Sequence, residues 1–340
     1  MSKKLLSIIL SAALTAVFLF PSAAAAAEKS YVFKCGLTGN EDHQLAVGMR
    51  ILKDLVEKKT NGRIKIELFL NSALGAEREI AESVIMGSSQ VTSITLDGAL
   101  PAWVHDGAIM SIPYLFDTRA QAYNTLDTLL FKHLTPFFEK NNLKLFGFTE
   151  LGFRHFSNNK RPVKVPADMQ GMIIRVQEAP VWFALCEAVN ATPTPMAISE
   201  LYSALQQGVI DGQENPLGTF VTTKFYEVQK YLTLDGHTYC PGVVVMNLDV
   251  YNSLSDADQK LFNDCVQEMI PQQRKIMADN DTKYLNELKG ISRLTIEEHP
   301  DIAAFRAATK DIGDQPNIKA LFDTPDLIQK VRDHVASLPK

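Results

Sequence analysis

Two arginines stand where a guanidinium is least expected. In GMIIRVQEAP, Gly171 to Pro180, Arg175 follows Ile173 and Ile174 and precedes Val176. Burying a guanidinium in so apolar a strand is costly unless an anion meets it. Its planar fork suits a carboxylate, which it can grip with two hydrogen bonds. An internal salt bridge, or a side chain that reaches water, would satisfy the same residue, and this stretch leaves both open. Arg154 lies in ELGFRHFSNNKRP, among glycine and polar residues that mark the start of a lobe or a hinge. Lys160 and Arg161 beside it read as a solvated turn before Pro162.

A third polar cluster follows an apolar helix in ATPTPMAISELYSALQQGVIDGQENP, Ala191 to Pro216. Ser199 is a candidate N-cap, Leu201 and Leu205 share a buried face, and Gly208 suits the left-handed residue that ends a helix. Val209 to Asp211 is then predicted as a short strand. Gly212 is expected to turn the backbone sharply, and Pro216 to bar a helix directly after it. Gln213, Glu214 and Asn215 thus fall at the C-terminal end of a strand, where open α/β sheets bind ligands. A hydrogen-bonded turn accounts for the same residues equally well.

Other chemistry lacks its usual signatures. There is no G-x-S-x-G, H-E-x-x-H, Walker A or G-x-G-x-x-G motif. The histidines (His43, His105, His133, His155, His237, His299 and His334) include no pair three or four residues apart. No metal and no cofactor are expected. Cys35, Cys186, Cys240 and Cys265 are too far apart for a zinc knuckle or a redox pair, and are read as buried free thiols. With no basic block in a chain of net charge -5, nucleic acid is not an expected partner.

The elements that must position these residues begin after a secretory signal peptide. Lys3 and Lys4 precede the apolar run Leu5 to Phe20, and Ser22 to Ala27 offers cleavage sites. The mature chain, from about residue 28, is large enough to split into two lobes. Tyr31 to Leu37, Ile64 to Leu68 and Val91 to Leu96 read as strands that alternate with helices over 42–59 and 77–86. A second unit opens near Gly152. It has a strand over 172–176, helices over 180–189 and 199–207, and an apolar strand over 242–247. Ser255 to Lys289 reads as one helix of about 50 Å, long enough to cross two lobes, with a kink expected at Pro271. The pattern is an α/β fold with a largely parallel sheet.

At this level the residues become familiar. GFRHFSNNKRPVKVPADMQGMIIRV, ATPTPMAISELYSALQQGVIDGQENPLGTFVTTKFYEVQKYLTLDGHTY and TNGRIKIELFLNSALGAEREIAESVIMG resemble the substrate-binding subunit of tripartite ATP-independent periplasmic (TRAP) transporters. The likeness is to the branch with dicarboxylate- and sialic-acid-binding proteins. It implies a two-lobed periplasmic binding protein fold, with a cleft between the lobes and a long kinked helix spanning both. Residues 28–151 and about 241–280 would form lobe I; 152–240 and about 281–340 would form lobe II. Arg175 would grip a substrate carboxylate, with Arg154 and Asn215 in support. Gly36 and the loop after it, Thr95, Asp97 and Glu150 would face the cleft, and Ile198 matches a cleft position where relatives often carry an aromatic. Gln213 and Glu214 would hold the turn and the arginines in place. The implied partners are a small organic acid and the TRAP membrane permease, with the protein a periplasmic monomer that performs no catalysis. A sensory receptor and an exported enzyme on the same scaffold stay open as alternatives.

Overall fold

A computed structural model describes residues 29–339; the signal-peptide reading lies outside the described residues. Among the described residues ten strands are present: β1 (Tyr31–Gly36), β2 (Ile64–Phe69), β3 (Val91–Thr95), β4 (Leu143–Asn158), β5 (Ile173–Val176), β6 (Thr192–Pro195), β7 (Gly212–Pro216), β8 (Tyr231–Thr233), β9 (Tyr239–Asn247) and β10 (Thr295–Glu297). They run in the order β2-β1-β3-β9-β4-β7-β5-β6, with β8 joining β4 to β10.

The order describes two sheets that share β4. β1 pairs in parallel with β2 and β3, and β9 closes this first sheet antiparallel to β3 and β4. In the second sheet β5 runs parallel to β6 and β7, while β4 runs antiparallel to β7 and β8. Each sheet thus has a parallel core, but the shared strand makes the whole mixed rather than largely parallel.

β4 is 16 residues long, and its first part pairs with β9 up to Phe153. From Arg154 onward it pairs with β7 instead. The ladder slips between Glu150 and Gly152, and Gly152 has φ +114°, which side chains with a Cβ rarely adopt. Such a bulge bends and twists a strand, and here it falls where the strand leaves one sheet for the other. The boundary predicted near Gly152 is therefore a bend inside one continuous strand.

The long helix spans Asp256–Lys289, and the Ser255 side chain accepts from the Asp258 N–H. It runs unbroken past Pro271. Phe262, Cys265, Val266 and Met269 pack into the core of the first sheet with Phe33, Leu52 and Phe146. Leu288, near its other end, packs with Leu201, Leu205 and Phe220 under the second sheet. One helix is thus anchored in both cores. All four cysteines are buried and unpaired.

Three local expectations are corrected around β7. The strand is not Val209–Asp211 but Gly212–Pro216, so Gln213, Glu214 and Asn215 are its interior. Gly212 is there for close approach rather than for a turn: a Cβ would stand 2.2 Å from the Ser157 carbonyl oxygen. A helix does follow at once, Leu217–Thr222, with Pro216 as its N-cap. Proline restricts the residue before it, not the one after. Similarly, the preceding helix starts at Ile198 after Ala197, with no side-chain cap from Ser199. Gly208 does end it in the left-handed conformation.

Candidate functional site

A cavity lies between the two sheets. From the side of the first come Thr38, His43, Leu45, Glu77, Thr95, Gly98, Ala99 and Leu151; from that of the second come Arg154, Arg175, Gln177, Glu178, Met196, Ala197, Ile198, Asn215 and Thr219. It holds about 570 Å³ of atom-free space, counting its mouth.

Arg175 occupies the third position of β5. Strand alternation buries Ile174 and Val176 in the apolar core and turns Arg175 to the opposite face. It is only 4% exposed. Its Nε donates to the Met196 carbonyl at 2.8 Å, which fixes the fork. Among the described residues no carboxylate forms an ion pair with it. Burial depresses its pKa to about 10; Glu214 opposes that shift and Arg154 adds to it. This is a charge held ready and short of an anion.

Arg154 is 1% exposed but saturated. Its Nε and Nη2 fork onto the Glu214 carboxylate, with Nη2 2.8 Å from Oε1. Nη2 also reaches the Glu214 carbonyl at 2.9 Å and Asn215 Oδ1 at 3.2 Å, and Nη1 meets Cys240 Sγ at 3.3 Å. The guanidinium lies 5.0 Å from the Trp182 ring. Burial works against its charge, yet Glu214 outweighs it and the pKa rises. The register explains the pairing: Phe156 on β4 sits opposite Glu214 on β7, two residues from Arg154 on the same face.

The network continues behind it. His237 contacts Glu214 Oε2 at 3.2 Å through Nε2 and Asp235 Oδ2 at 2.7 Å through Nδ1. Burial lowers the His237 pKa, but the two carboxylates raise it to about 9, so the ring is charged at neutral pH. Two cations and two anions alternate, Arg154–Glu214–His237–Asp235, all with partners. Asn215 Nδ2 donates to Gln213 Oε1 at 2.6 Å, and Gln213 Nε2 donates to Ser157 Oγ at 2.8 Å.

The remaining predicted residues divide in two. Arg175, Arg154, Asn215, Thr95 and Ile198 all line the cavity. Gly36, Asp97 and Glu150 stand outside its wall, a correction to the expectation that they face the cleft. Gly36 lies against Ile80 and Leu74, and it is Thr38 from the same loop that reaches the cavity. Asp97 is fully buried beside Cys240 Sγ, 3.5 Å away, and burial pushes its pKa up to about 6. Glu150 is turned toward Arg119, which donates to it at 2.6 Å, and Tyr123. Burial raises its pKa to about 7.

Sequence reasoning missed His43, Glu77 and Gln177. His43 caps the helix Gln44–Lys59, and burial depresses its pKa to about 4. Glu77 opens the helix Glu77–Ile85, and its Oε1 accepts from the Thr95 N–H at 2.7 Å and from Thr95 Oγ1 at 2.8 Å. A Cβ on Gly98 would stand within 2.7 Å of Thr95 Oγ1, Glu77 Oε2 and Gln177 Oε1, so three oxygens converge on that glycine. A glutamate in a first helical turn favours the helix dipole anyway, and nothing local set Glu77 apart. Among the described residues no cluster of ligating side chains could hold a metal ion.

With this geometry in place, the chain can be compared with known proteins. Residues 37–318 match the family DctP, bacterial extracellular solute-binding protein, family 7. The chain belongs to that family. A solute-binding protein of Verminephrobacter eiseniae is 38% identical over 278 residues, 82% of each chain. Among solved structures, a TRAP periplasmic solute-binding protein from Polaromonas sp JS666, bound to D-erythronate, superposes with TM-score 0.83 at 34% identity. The match covers 89% of this chain and 98% of that one. Another, from Bordetella bronchispeptica with density assigned to pantoate, gives TM-score 0.84 at 33% identity, covering 90% and 99%. The fold is that of TRAP solute-binding proteins, two α/β lobes with a cleft between them.

Proposed function

We propose that this family member captures a small organic acid in the periplasm, as a monomer, and hands it to a TRAP permease without altering it covalently. The observation that carries the reading is Arg175, a buried guanidinium lining the cavity whose one hydrogen bond among the described residues is on Nε and which forms no ion pair there. A carboxylate arriving in its open fork supplies the missing anion and a charge-assisted, two-point hydrogen bond. Arg154 and Asn215 shape the same wall from β4 and β7. The ligands of the Polaromonas and Bordetella proteins, D-erythronate and pantoate, are both hydroxy monocarboxylates, and that class is the first to try. The bulge at Gly152, where β4 passes between the sheets, is where the lobes would hinge as they close around the acid.

The test is a thermal-shift screen against organic acids. An acid at 100 times its dissociation constant adds about 2.7 kcal/mol of stability, a clear shift in melting temperature. A library of carboxylic acids that leaves the melting curve unmoved, while neutral sugars or amines shift it, would overturn the reading.

A further inference from the structure

We infer that Glu77 sets the specificity of this cavity, admitting acids with one carboxylate and hydroxyls beyond it and rejecting dicarboxylates. The inference rests on carboxylate capture at Arg175 and asks what the rest of the cavity would accept.

Consider the charges first. Among the described residues the cavity wall holds two cations, Arg154 and Arg175. Arg154 is already neutralised by Glu214, and His237 by Asp235. His43 also lines the cavity, but with its pKa at about 4 it is neutral at physiological pH. That leaves Arg175 for the first carboxylate and no cation for a second. Two carboxylates line the cavity instead: Glu178, which is exposed to water, and the half-buried Glu77, whose pKa burial raises while the Thr95 hydrogen bonds and Arg175 hold it down. A second ligand carboxylate would meet a like charge with little water to screen it.

Hydrogen bonding points the same way. Thr95 occupies Glu77 Oε1 with two donors and so fixes the carboxylate. Among the described residues Glu77 Oε2 receives no donor, although it is packed against Gly98 in the cavity wall. Gln177, which also lines the cavity, has a buried Nε2 with no partner. The open Glu77 acceptor calls for a ligand donor and the unpartnered Gln177 Nε2 for a ligand acceptor, and a hydroxyl can serve as either. A carboxylate only accepts, so it would satisfy Gln177 while leaving Glu77 opposed. A site whose buried polar groups are matched to a hydroxyl discriminates strongly against ligands that cannot pair with them.

The experiment uses matched pairs: D-erythronate against meso-tartrate, and D-galactonate against galactarate. Each pair differs only by oxidation of the far CH₂OH to a carboxylate. Titration calorimetry on the wild type should favour the monocarboxylate of the pair it binds by about 100-fold or more. Glu77→Gln keeps the shape and the Thr95 contacts but removes the charge. It should cut that preference at least tenfold, chiefly by tighter binding of the dicarboxylate, whereas Glu77→Asp should preserve it. Dicarboxylate binding within threefold of its partner in the wild type overturns the inference. So does a preference that Glu77→Gln leaves unchanged, or binding of neither series. If other carboxylic acids still bind in that last case, capture at Arg175 stands and only the role of Glu77 falls.

Discussion

Arg154 and Arg175 sit in one cavity wall at nearly the same burial, 1% and 4% exposed, yet their surroundings are opposite. Arg154 has its donors spent on Glu214, Asn215 and Cys240. Arg175 spends one, on a carbonyl. Their pKa values move apart accordingly: that of Arg154 up under its carboxylate partner, that of Arg175 down to about 10 under burial. A buried ion pair costs desolvation and adds little net stability, but it fixes geometry. A buried cation without a partner is tolerated only where something else completes it. On the proposed reading the first arginine belongs to the scaffold and the second to the ligand, a division that substitutions on each side can break.

The largest expected effect is on the saturated side. Glu214→Ala strands the buried Arg154 and leaves His237 with Asp235 alone. Breaking a buried pair in this way costs about 3–5 kcal/mol, and urea unfolding of the ligand-free protein should register it. Stability within 1 kcal/mol of wild type would mean that the Arg154 network is dispensable. A smaller effect is expected at Asn215, which touches Arg154 and lines the cavity. Asn215→Ala should weaken acid binding about tenfold through one hydrogen bond. If calorimetry finds affinity intact while the apo protein loses stability, Asn215 only braces Arg154.

The pH dependence is the mildest test. His237 is charged when folded up to about pH 9 but in the unfolded chain only up to its ordinary value near 6.5. Between those values the native state holds a proton that the unfolded state has released. The stability that this proton contributes is fully present below pH 6.5 and is lost as pH rises through 9. The slope should approach about 1 kcal/mol per pH unit. His237→Gln should flatten it in melting curves recorded from pH 7 to 9. An unchanged slope would remove His237 from the network.

The asymmetry between the arginines was only half legible in the sequence. Arg175 stood out because three apolar neighbours raised the question of its burial from a few adjacent residues, though a side chain reaching water stayed open there. The alternating strands, the helix over 42–59 and the long helix from Ser255 are likewise periodic over a short range, and they were readable. Arg154 was harder: that it is paired depends on Glu214, 60 residues away, and on the β4–β7 register. The same register turned Gln213, Glu214 and Asn215 into a buried strand, against their low strand propensity, since each polar side chain finds a partner that only tertiary structure supplies. β4 could not be read as one element because its glycines interrupt the pattern and its faces change partners midway. Glu77 and Gln177 carried no local mark, because they become notable only where two walls meet at Gly98.

The most direct measurement pairs calorimetry with apo melting curves for Arg175→Ala. Truncating one side of a buried charge pair costs about 2–5 kcal/mol, so affinity for the cognate acid should fall roughly 30- to 4,000-fold at about 1.4 kcal/mol per tenfold. Arg175→Lys, which keeps the charge and loses the fork, should fall between alanine and wild type. The apo protein should melt close to wild type, since only the Met196 carbonyl loses a donor while a buried charge without a counter-ion is removed. Binding within threefold of wild type, or a destabilised apo protein that binds normally, would contradict the assignment of Arg175 to the ligand.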